Sequence, residues 1–329
     1  MMSCPRVRFG YTLLTEQAGP RALVRHAVSA ERAGFDFAVM SDHYSPWLTE
    51  QGHAPYAWSV LGAVAQATER VELMTYVTCP LIRYHPAVVA QKAATVQLLS
   101  QGRFTLGLGA GENLNEHVVG SGWPPVNVRH EMLGEALDII SGLFDGGYLN
   151  FVGKHYRVDS AKLWDLPGQR VPLAVAVSGE QSVDLFAARA DALIAVEPDA
   201  GLCGRWRTIA APDANRAIGQ LPICFDPDEQ AAVRRAHEQF RWFGGGWKVN
   251  AELPGPAGFA GATRFVRPED LAGSIPCGPD TEKIVQAVSA YWQAGFTDVA
   301  LVQIGGEHQD GFLGFAEDEL LPALRAAAA

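Results

Sequence analysis

The chain has 329 residues, 48% of them hydrophobic and 19% charged, and carries a formal net charge of −10 at pH 7. That composition supplies a large core and excludes a disordered chain. The acidic balance argues against nucleic acid or an anionic membrane surface as the main partner.

Val7 to Leu14 reads as a first strand. Pro20 opens a helix to about Ala33, with Leu23, Val24, Ala27 and Ala30 at helical spacing, and Gly34 ends it. Phe37 to Met40 is a short apolar strand. A helix over 55–68, a strand over 71–78, a helix over 86–99 and a strand over 103–108 follow. This βαβαβαβ order implies parallel strands joined by right-handed crossovers. Residues 109–128 form a Gly-rich loop before a helix over 129–144. Residues 147–163 alternate around Gly153 and read as a hairpin.

Strands are then expected over 172–177 and 192–196, with a helix over 181–190 between them. Residues 205–219 are expected to be helical in part, ahead of a seventh strand over 221–225. A helix over 229–240 leads into R-W-F-G-G-G-W, and residues 241–273 read as a flexible, partly aromatic lid. Cys277-Gly278-Pro279-Asp280 caps a helix to Gly295. The eighth strand runs over 298–303 and a last helix over 312–328. Eight strands with interleaved helices at this length predict a (β/α)8 TIM barrel in the α/β class, one domain over residues 1–329 with insertions at the C-terminal mouth.

Cys4, Cys79, Cys203, Cys224 and Cys277 are scattered, with no C-x-x-C pair and no histidine at metal-ligand spacing. This reads as reduced thiols and a cytoplasmic location. The N-terminus lacks a charged-then-apolar signal pattern, and no run approaches the ~18 apolar residues of a membrane span. No metal cluster is suggested, and neither a G-x-S-x-G elbow nor a G-x-x-x-x-G-K-[ST] loop is present.

Three stretches concentrate chemistry. The strand Phe37–Met40 ends in Ser41-Asp42-His43-Tyr44-Ser45-Pro46-Trp47, so a buried strand delivers a carboxylate, an imidazole and an indole to one sheet end, where α/β proteins place their sites. The second is G-L-G-A-G-E-N-L-N-E-H, Gly107 to His117. It is a poor dinucleotide fingerprint because Glu112 stands where glycine is required. Its glycines are read instead as backbone passing close to a flat ligand, with Glu112 and Asn115 three apart on one face. The third is Met74 to Pro86, whose Thr75-Tyr76-Val77-Thr78 offers an edge for a ring-shaped ligand, with Arg83 and His85 as candidate contacts. His53 is a candidate for the same mouth as His43, whereas His26, His155 and His237 are expected on surfaces.

Together S-D-H-Y-x-P-W, Q-G-x-A-P, T-x-V-T-C-P, R-Y-H-P-A-V-V-A-Q, G-R-F-x-L-G-L-G-A-G-E-N-L-N-E-H and P-C-G-P-D resemble the luciferase-like superfamily, specifically the branch around coenzyme F420-dependent glucose-6-phosphate dehydrogenase. The match runs from Phe9 to Asp165 and resumes from Ser274 to Leu324. The resemblance implies a (β/α)8 barrel, often a homodimer, that binds the deazaflavin F420 at its mouth and transfers a hydride to or from a small organic molecule. It implies His43 as the base or acid at the substrate, Trp47 as a wall that steadies the imidazolium, and Glu112 as proton donor near the ring. Asp42 and Asn115 would contact the cofactor, together with Thr78 and Gly109 at the rim. Tyr76-Val77 would form a non-proline cis peptide behind the ring. Ser178-Gly179 would receive the cofactor phosphate at a helix N-terminus.

Two departures shape the expectation. V-E-P-D-A and L-A-G-S-I lack the basic residues with which this branch holds a sugar phosphate, which needs charge-assisted donors. An alcohol, ketone, imine or activated alkene is expected instead, with Trp242, Phe243 and Trp247 either lining an apolar pocket or taking a buried or dimer-contact role. Glu180 and Glu197 add negative charge near an anionic tail, so either their side chains turn away or cofactor binding is weakened. An FMN-dependent monooxygenase and a redox-inactive binding barrel are the alternatives on this fold.

Overall fold

The computed structural model describes residues 7–329. In chain order its elements are β1 (Arg8–Leu13), α1 (Pro20–Ala33), β2 (Phe37–Met40), α2 (Ala57–Ala67), β3 (Glu72–Thr75), α3 (Pro86–Leu99), β4 (Phe104–Leu108), α4 (Asn113–Glu116) and α5 (Val126–Phe144). They continue with β5 (Leu149–Val152), β6 (Arg157–Ala161), β7 (Leu173–Ala176), α6 (Glu180–Phe186), β8 (Ala192–Ile194), α7 (Ala200–Ile209), β9 (Arg216–Ile223) and α8 (Glu229–Phe240). Last come α9 (Trp247–Asn250), α10 (Pro256–Ala262), α11 (Pro268–Ala272), α12 (Thr281–Gln293), β10 (Asp298–Gln303), α13 (Gln309–Phe315) and α14 (Leu321–Ala327).

The strands close into a parallel barrel in the order β1-β10-β9-β8-β7-β4-β3-β2, and β5 and β6 form a separate antiparallel hairpin. The (β/α)8 TIM barrel expected from the strand–helix alternation is the observed fold. Side-chain alternation divides each strand between two cores. In β2, Phe37 and Val39 join Met74, Ala174, Ile194, Ile218 and Ala300 inside the barrel. Ala38 and Met40 face the helices with Tyr11, Leu73, Leu106 and Leu108. Both faces are buried, which is why these strands read as continuous apolar runs. Phe37 fits only because residue 10 is glycine: a Cβ there would lie 2.4 Å from its ring.

Several expected boundaries shift. The chain expected to be helical in part over 205–219 divides into α7 and then β9, which begins at Arg216 rather than at 221. The strand R-A-I-G-Q-L-P-I hides its pattern because Gly219 leaves room for Tyr291, which would sit 2.3 Å from a Cβ at that position. The third strand stops at Thr75, and α5 starts at Val126. The segment 241–273, expected as a flexible, partly aromatic lid, contains regular elements: a 3-10 turn over Arg241–Gly245 precedes α9, α10 and α11. His26, expected on the surface, is buried on α1. Cys4 lies outside the described residues, while Cys79, Cys203, Cys224 and Cys277 are free and buried. Among the described residues no helix is long and apolar enough to cross a membrane.

Candidate active site

The C-terminal ends of β1, β2, β3 and β4 bring their loop residues to one rim. His43, three residues beyond the end of β2, is 9% exposed and lies between two carboxylates. Its Nε2 is 3.0 Å from Glu112 Oε1, and its Nδ1 is 3.1 Å from Glu16 Oε1, close but off the line of a hydrogen bond. Burial opposes charge on the imidazole, yet Glu16 and Glu112 outweigh it and raise the pKa of His43 to about 9. Burial likewise opposes charge on Glu112, but the hydrogen bond and charge of His43, with the amide of Asn115, hold its pKa below the ordinary carboxylate value. The resting pair is therefore an imidazolium beside a carboxylate, and the mobile proton sits on His43. Glu112, expected as a proton donor, is an acceptor in this state.

Glu16 was not anticipated from the sequence. It is 1% exposed, and its Oε2 accepts from Ser41 Oγ at 2.5 Å and Thr15 Oγ1 at 3.1 Å. The signal was available: the carboxylate in L-L-T-E-Q stands three residues beyond a buried strand, as His43 does beyond β2.

Asp42 and Asn115 are held by the protein itself. Asp42 Oδ2 accepts from Trp58 Nε1 at 3.1 Å and Thr78 Oγ1 at 2.8 Å, and Oδ1 accepts from Arg83 Nη2 and Tyr84 Oη, each at 3.2 Å. Four donors fill a carboxylate's acceptor sites, so Asp42 and Thr78 fix the loop that carries His43. Asn115 Oδ1 accepts from the backbone N–H groups of Tyr44 at 2.7 Å and Ser45 at 3.2 Å, while its Nδ2 donates to Glu112 Oε1 at 2.9 Å. One amide thus ties the His43 loop to the Glu112 loop. Arg83 is also committed, to Asp42 and to Glu116 at 3.4 Å. His85 caps α3 by accepting from the Ala87 N–H.

Trp47 is 6% exposed. Its ring centroid is 5.0 Å from that of His43, and it stacks on Trp242 at 4.1 Å and 8°. Phe259 meets it edge-on at 5.0 Å. The lid therefore lays Trp242 and Phe259 on the indole beside His43. Trp247 is exposed, and Phe243 packs with the cluster around Phe240 and Leu271.

Below this rim, Tyr76, Val77 and Ala176 cover the top of the barrel interior and remain half-buried. The Tyr76–Val77 peptide is cis, as the resemblance implies. The glycines of G-L-G-A-G, however, make room for the chain and not for a ligand. A Cβ at Gly107 would lie 1.9 Å from the Thr75 carbonyl oxygen, one at Gly109 2.7 Å from Val77 Cγ2, and one at Gly111 2.4 Å from Cys79 Sγ. Gly179 is the contrary case: nothing lies within 4 Å of the space its Cβ would fill. Ser178 N–H donates to Ser182 Oγ at 3.2 Å. Glu180 sits 3.4 Å from Arg205, whose guanidinium also engages Asp184, and Glu197 is exposed. A half-exposed apolar floor, a proton-carrying imidazole at its edge and an open glycine at a helix start fit a flat ring with an acidic tail. Among the described residues no group of His, Cys, Asp and Glu side chains is arranged to hold a metal ion.

A parallel barrel with its titratable residues gathered at the C-terminal rim is the arrangement of a barrel enzyme. A family model described as luciferase-like monooxygenase matches residues 4–298, and the chain belongs to that family. It is 34% identical over 345 residues to the F420-dependent glucose-6-phosphate dehydrogenase of Nakamurella multipartita, covering 99% of this chain and 98% of that protein. It is 33% identical over 325 residues to the F420-dependent hydroxymycolic acid dehydrogenase of Mycobacterium tuberculosis, covering 96% and 88%. Among solved structures, an F420-dependent secondary alcohol dehydrogenase in complex with an F420-acetone adduct superposes with a TM-score of 0.88 at 26% identity, covering 97% and 99%.

Proposed function

We propose that this protein is an F420-dependent oxidoreductase that moves a hydride between coenzyme F420 and a neutral organic molecule. The observation that carries the reading is His43 held protonated between Glu16 and Glu112 at the edge of the apolar floor, in a chain similar along nearly its whole length to F420-dependent dehydrogenases. Tyr76, Val77 and Ala176 would lie under the ring, with backbone at Gly109 beside it, and Ser178 and Gly179 would take the phosphate. When bound, the deazaflavin supplies or accepts the hydride.

The remaining work falls to side chains. In reduction, His43 Nε2 gives its proton to the developing alkoxide or amide, and Glu112 and Glu16 hold the imidazole in place for it. In oxidation the neutral imidazole takes the hydroxyl proton. Trp47 presents its π face to the imidazolium and walls the reacting carbon from water. Asp42 and Asn115 act by fixing the loop and Glu112.

The substrate class follows from charge. On the lid and its supports, Arg83 is paired with Asp42 and Glu116, Arg129 with Glu252, Arg241 with Glu50 and Arg267 with Asp270. Lys248 and Arg264 are exposed. A phosphate would have to displace a carboxylate, whereas Trp47, Trp242 and Phe259 suit an apolar body. The proposal therefore favours an alcohol or ketone, an imine or an activated alkene over the glucose 6-phosphate that several relatives are named for.

We also propose a single barrel domain and a homodimer. The exposed face of α2 carries no charged residue, and α3 exposes Val88, Leu98 and Leu99. The deciding experiment titrates the purified protein with F420 and separately with FMN and follows tryptophan fluorescence. Saturable quenching by F420, weaker in Glu112→Gln, supports the proposal. Quenching by FMN alone assigns a flavin monooxygenase, and no response to either removes the redox reading.

A further inference from the structure

Lys92 is the only charged residue on α2 or α3. It is half-buried, and its Nζ is shut off from solvent with no hydrogen-bond partner. Three aromatic rings surround it instead: the ring centroid of Tyr84 at 3.3 Å, of Tyr56 at 5.1 Å and of Trp58 at 5.6 Å. Two of these rings are the ones that donate to Asp42, Trp58 through Nε1 and Tyr84 through its hydroxyl. A cation against an aromatic ring draws electron density toward itself and makes the ring's N–H or O–H a stronger donor.

We propose that Lys92 is a positioning residue for the active site: its ammonium strengthens the Trp58 and Tyr84 hydrogen bonds that fix Asp42, and through Asp42 the loop carrying His43. A buried amine without an acceptor is costly for packing alone, and the cage gives it a use. Lysine suits the place because its stem reaches from α3 to the rings of Tyr56, Trp58 and Tyr84. Burial lowers the pKa of the amine to about 8, with Asp42 opposing the fall and Arg83 adding to it. The support is therefore present at neutral pH and is withdrawn as the amine loses its proton above that value.

The groups that face the ammonium are Asp42 and Arg83, with Tyr56 and Tyr84 among the rings. Burial raises the pKa of both phenols, so they do not titrate with the amine. Trp58 reports the linkage directly. In protein labelled with 15N-tryptophan and free of cofactor, the Trp58 indole resonance is expected to shift with a midpoint near pH 8 in the wild type and to lose that step in Lys92→Met. His43 titrates higher, near 9, so a step near pH 8 that is lost in Lys92→Met isolates Lys92.

The kinetic arm rests on the proposed hydride transfer. With F420 and a turned-over alcohol, Lys92→Met is expected to lower kcat about three- to tenfold with KM little changed, and Lys92→Arg to restore most of it. A Trp58 resonance that does not move between pH 7 and pH 9 in the wild type overturns the proposal, as does wild-type kcat in Lys92→Met. If no F420-linked turnover is found, the hydride-transfer reading fails, and the resonance still decides Lys92 because it needs no cofactor.

Discussion

The unusual feature of His43 is that each ring nitrogen faces a carboxylate, Nε2 toward Glu112 at 3.0 Å and Nδ1 toward Glu16 at 3.1 Å. One, Glu112, is itself held by the Asn115 amide at 2.9 Å. The other, Glu16, adds charge at 3.1 Å, where attraction in a buried site is large. Replacing Glu16 by Gln removes that charge and keeps the shape. His43 should then titrate well below its wild-type value of about 9, as read from the imidazole resonances across pH 5 to 10. The acid-dependent limb of kcat should move down with it. A linked effect on stability has a fixed sign. His43 is raised above the ~6.5 of an unfolded histidine, so its stabilising contribution is complete below that pH and is lost as pH rises through about 9. Urea midpoints should therefore fall between pH 7 and pH 10 in the wild type and fall less in His43→Gln. Asp42, His43, Trp47 and Glu112 were legible because each breaks an apolar strand or a Gly-rich run with a charged or aromatic residue. Glu16 obeys the same rule after β1, but between Thr15 and Gln17 it reads as one residue of an ordinary polar turn. Asn115 was legible as an amide near Glu112. Its reach back to Tyr44 and Ser45 was not, because that contact joins two loops about seventy residues apart.

Among the elements, the barrel strands were read well and the lid poorly, and the reason is where each gets its order. β2 or β4 is specified by its own apolar run, buried on both faces. Strand β9 was half missed because its pattern is set by a neighbour: Gly219 is needed for Tyr291 of α12. The lid is more extreme. Its helices α9, α10 and α11 are each too short to be stable alone and are ordered by what they touch. Trp242 stacks on Trp47, the Asn113 N–H donates to the Ala251 carbonyl, and Arg129 reaches Glu252 at 3.0 Å. Arg129 is buried and lies 4.3 Å from the ring of Trp123, so it is a fixed post against which the lid latches. Glu252 is about half exposed, so water screens the pair and its worth is about 1 kcal/mol. Glu252→Gln should therefore leave the fold intact and raise lid opening roughly fivefold. Limited trypsin digestion would read this as faster cutting within the lid, at Lys248 and Arg264, with the rate outside it unchanged. Equal cutting in both proteins would show that the aromatic stack alone holds the lid.

At the level of the whole molecule, the barrel is closed at its two ends by different means. The catalytic end carries the lid. The opposite end is sealed by Arg8, Glu72, Arg216 and Asp298, which come from β1, β3, β9 and β10. Arg8 reaches Glu72 at 2.6 Å and Asp298 at 3.2 Å, and Arg216 reaches Asp298 at 2.9 Å. Asp298 is 1% exposed, so removing its charge strands two guanidiniums at a buried end. Both arginines keep some access to water, so Asp298→Asn should cost about 2 kcal/mol rather than the 3–5 of a fully buried pair, read as a lower urea midpoint without loss of F420 binding. The outside of the barrel suggests a further level of assembly. Most of its helices alternate apolar and charged faces, as α8 and α12 do. Helices α2 and α3 do not. They pack side by side, and α3 leaves Val88, Leu98 and Leu99 open to solvent. A pair of helices that shows no exposed charge and several exposed apolar side chains suits cover by another surface. A second copy of the chain placing the same pair against it would make an isologous contact. Ala63, exposed on α2, is then near the middle of the contact, and Ala63→Glu would set two like charges against each other there. Sedimentation velocity should give a dimer for the wild type and a monomer for Ala63→Glu, with F420 quenching retained because His43 and Glu112 are untouched. A wild type that sediments as a monomer at tens of micromolar would mean that this face serves some other contact.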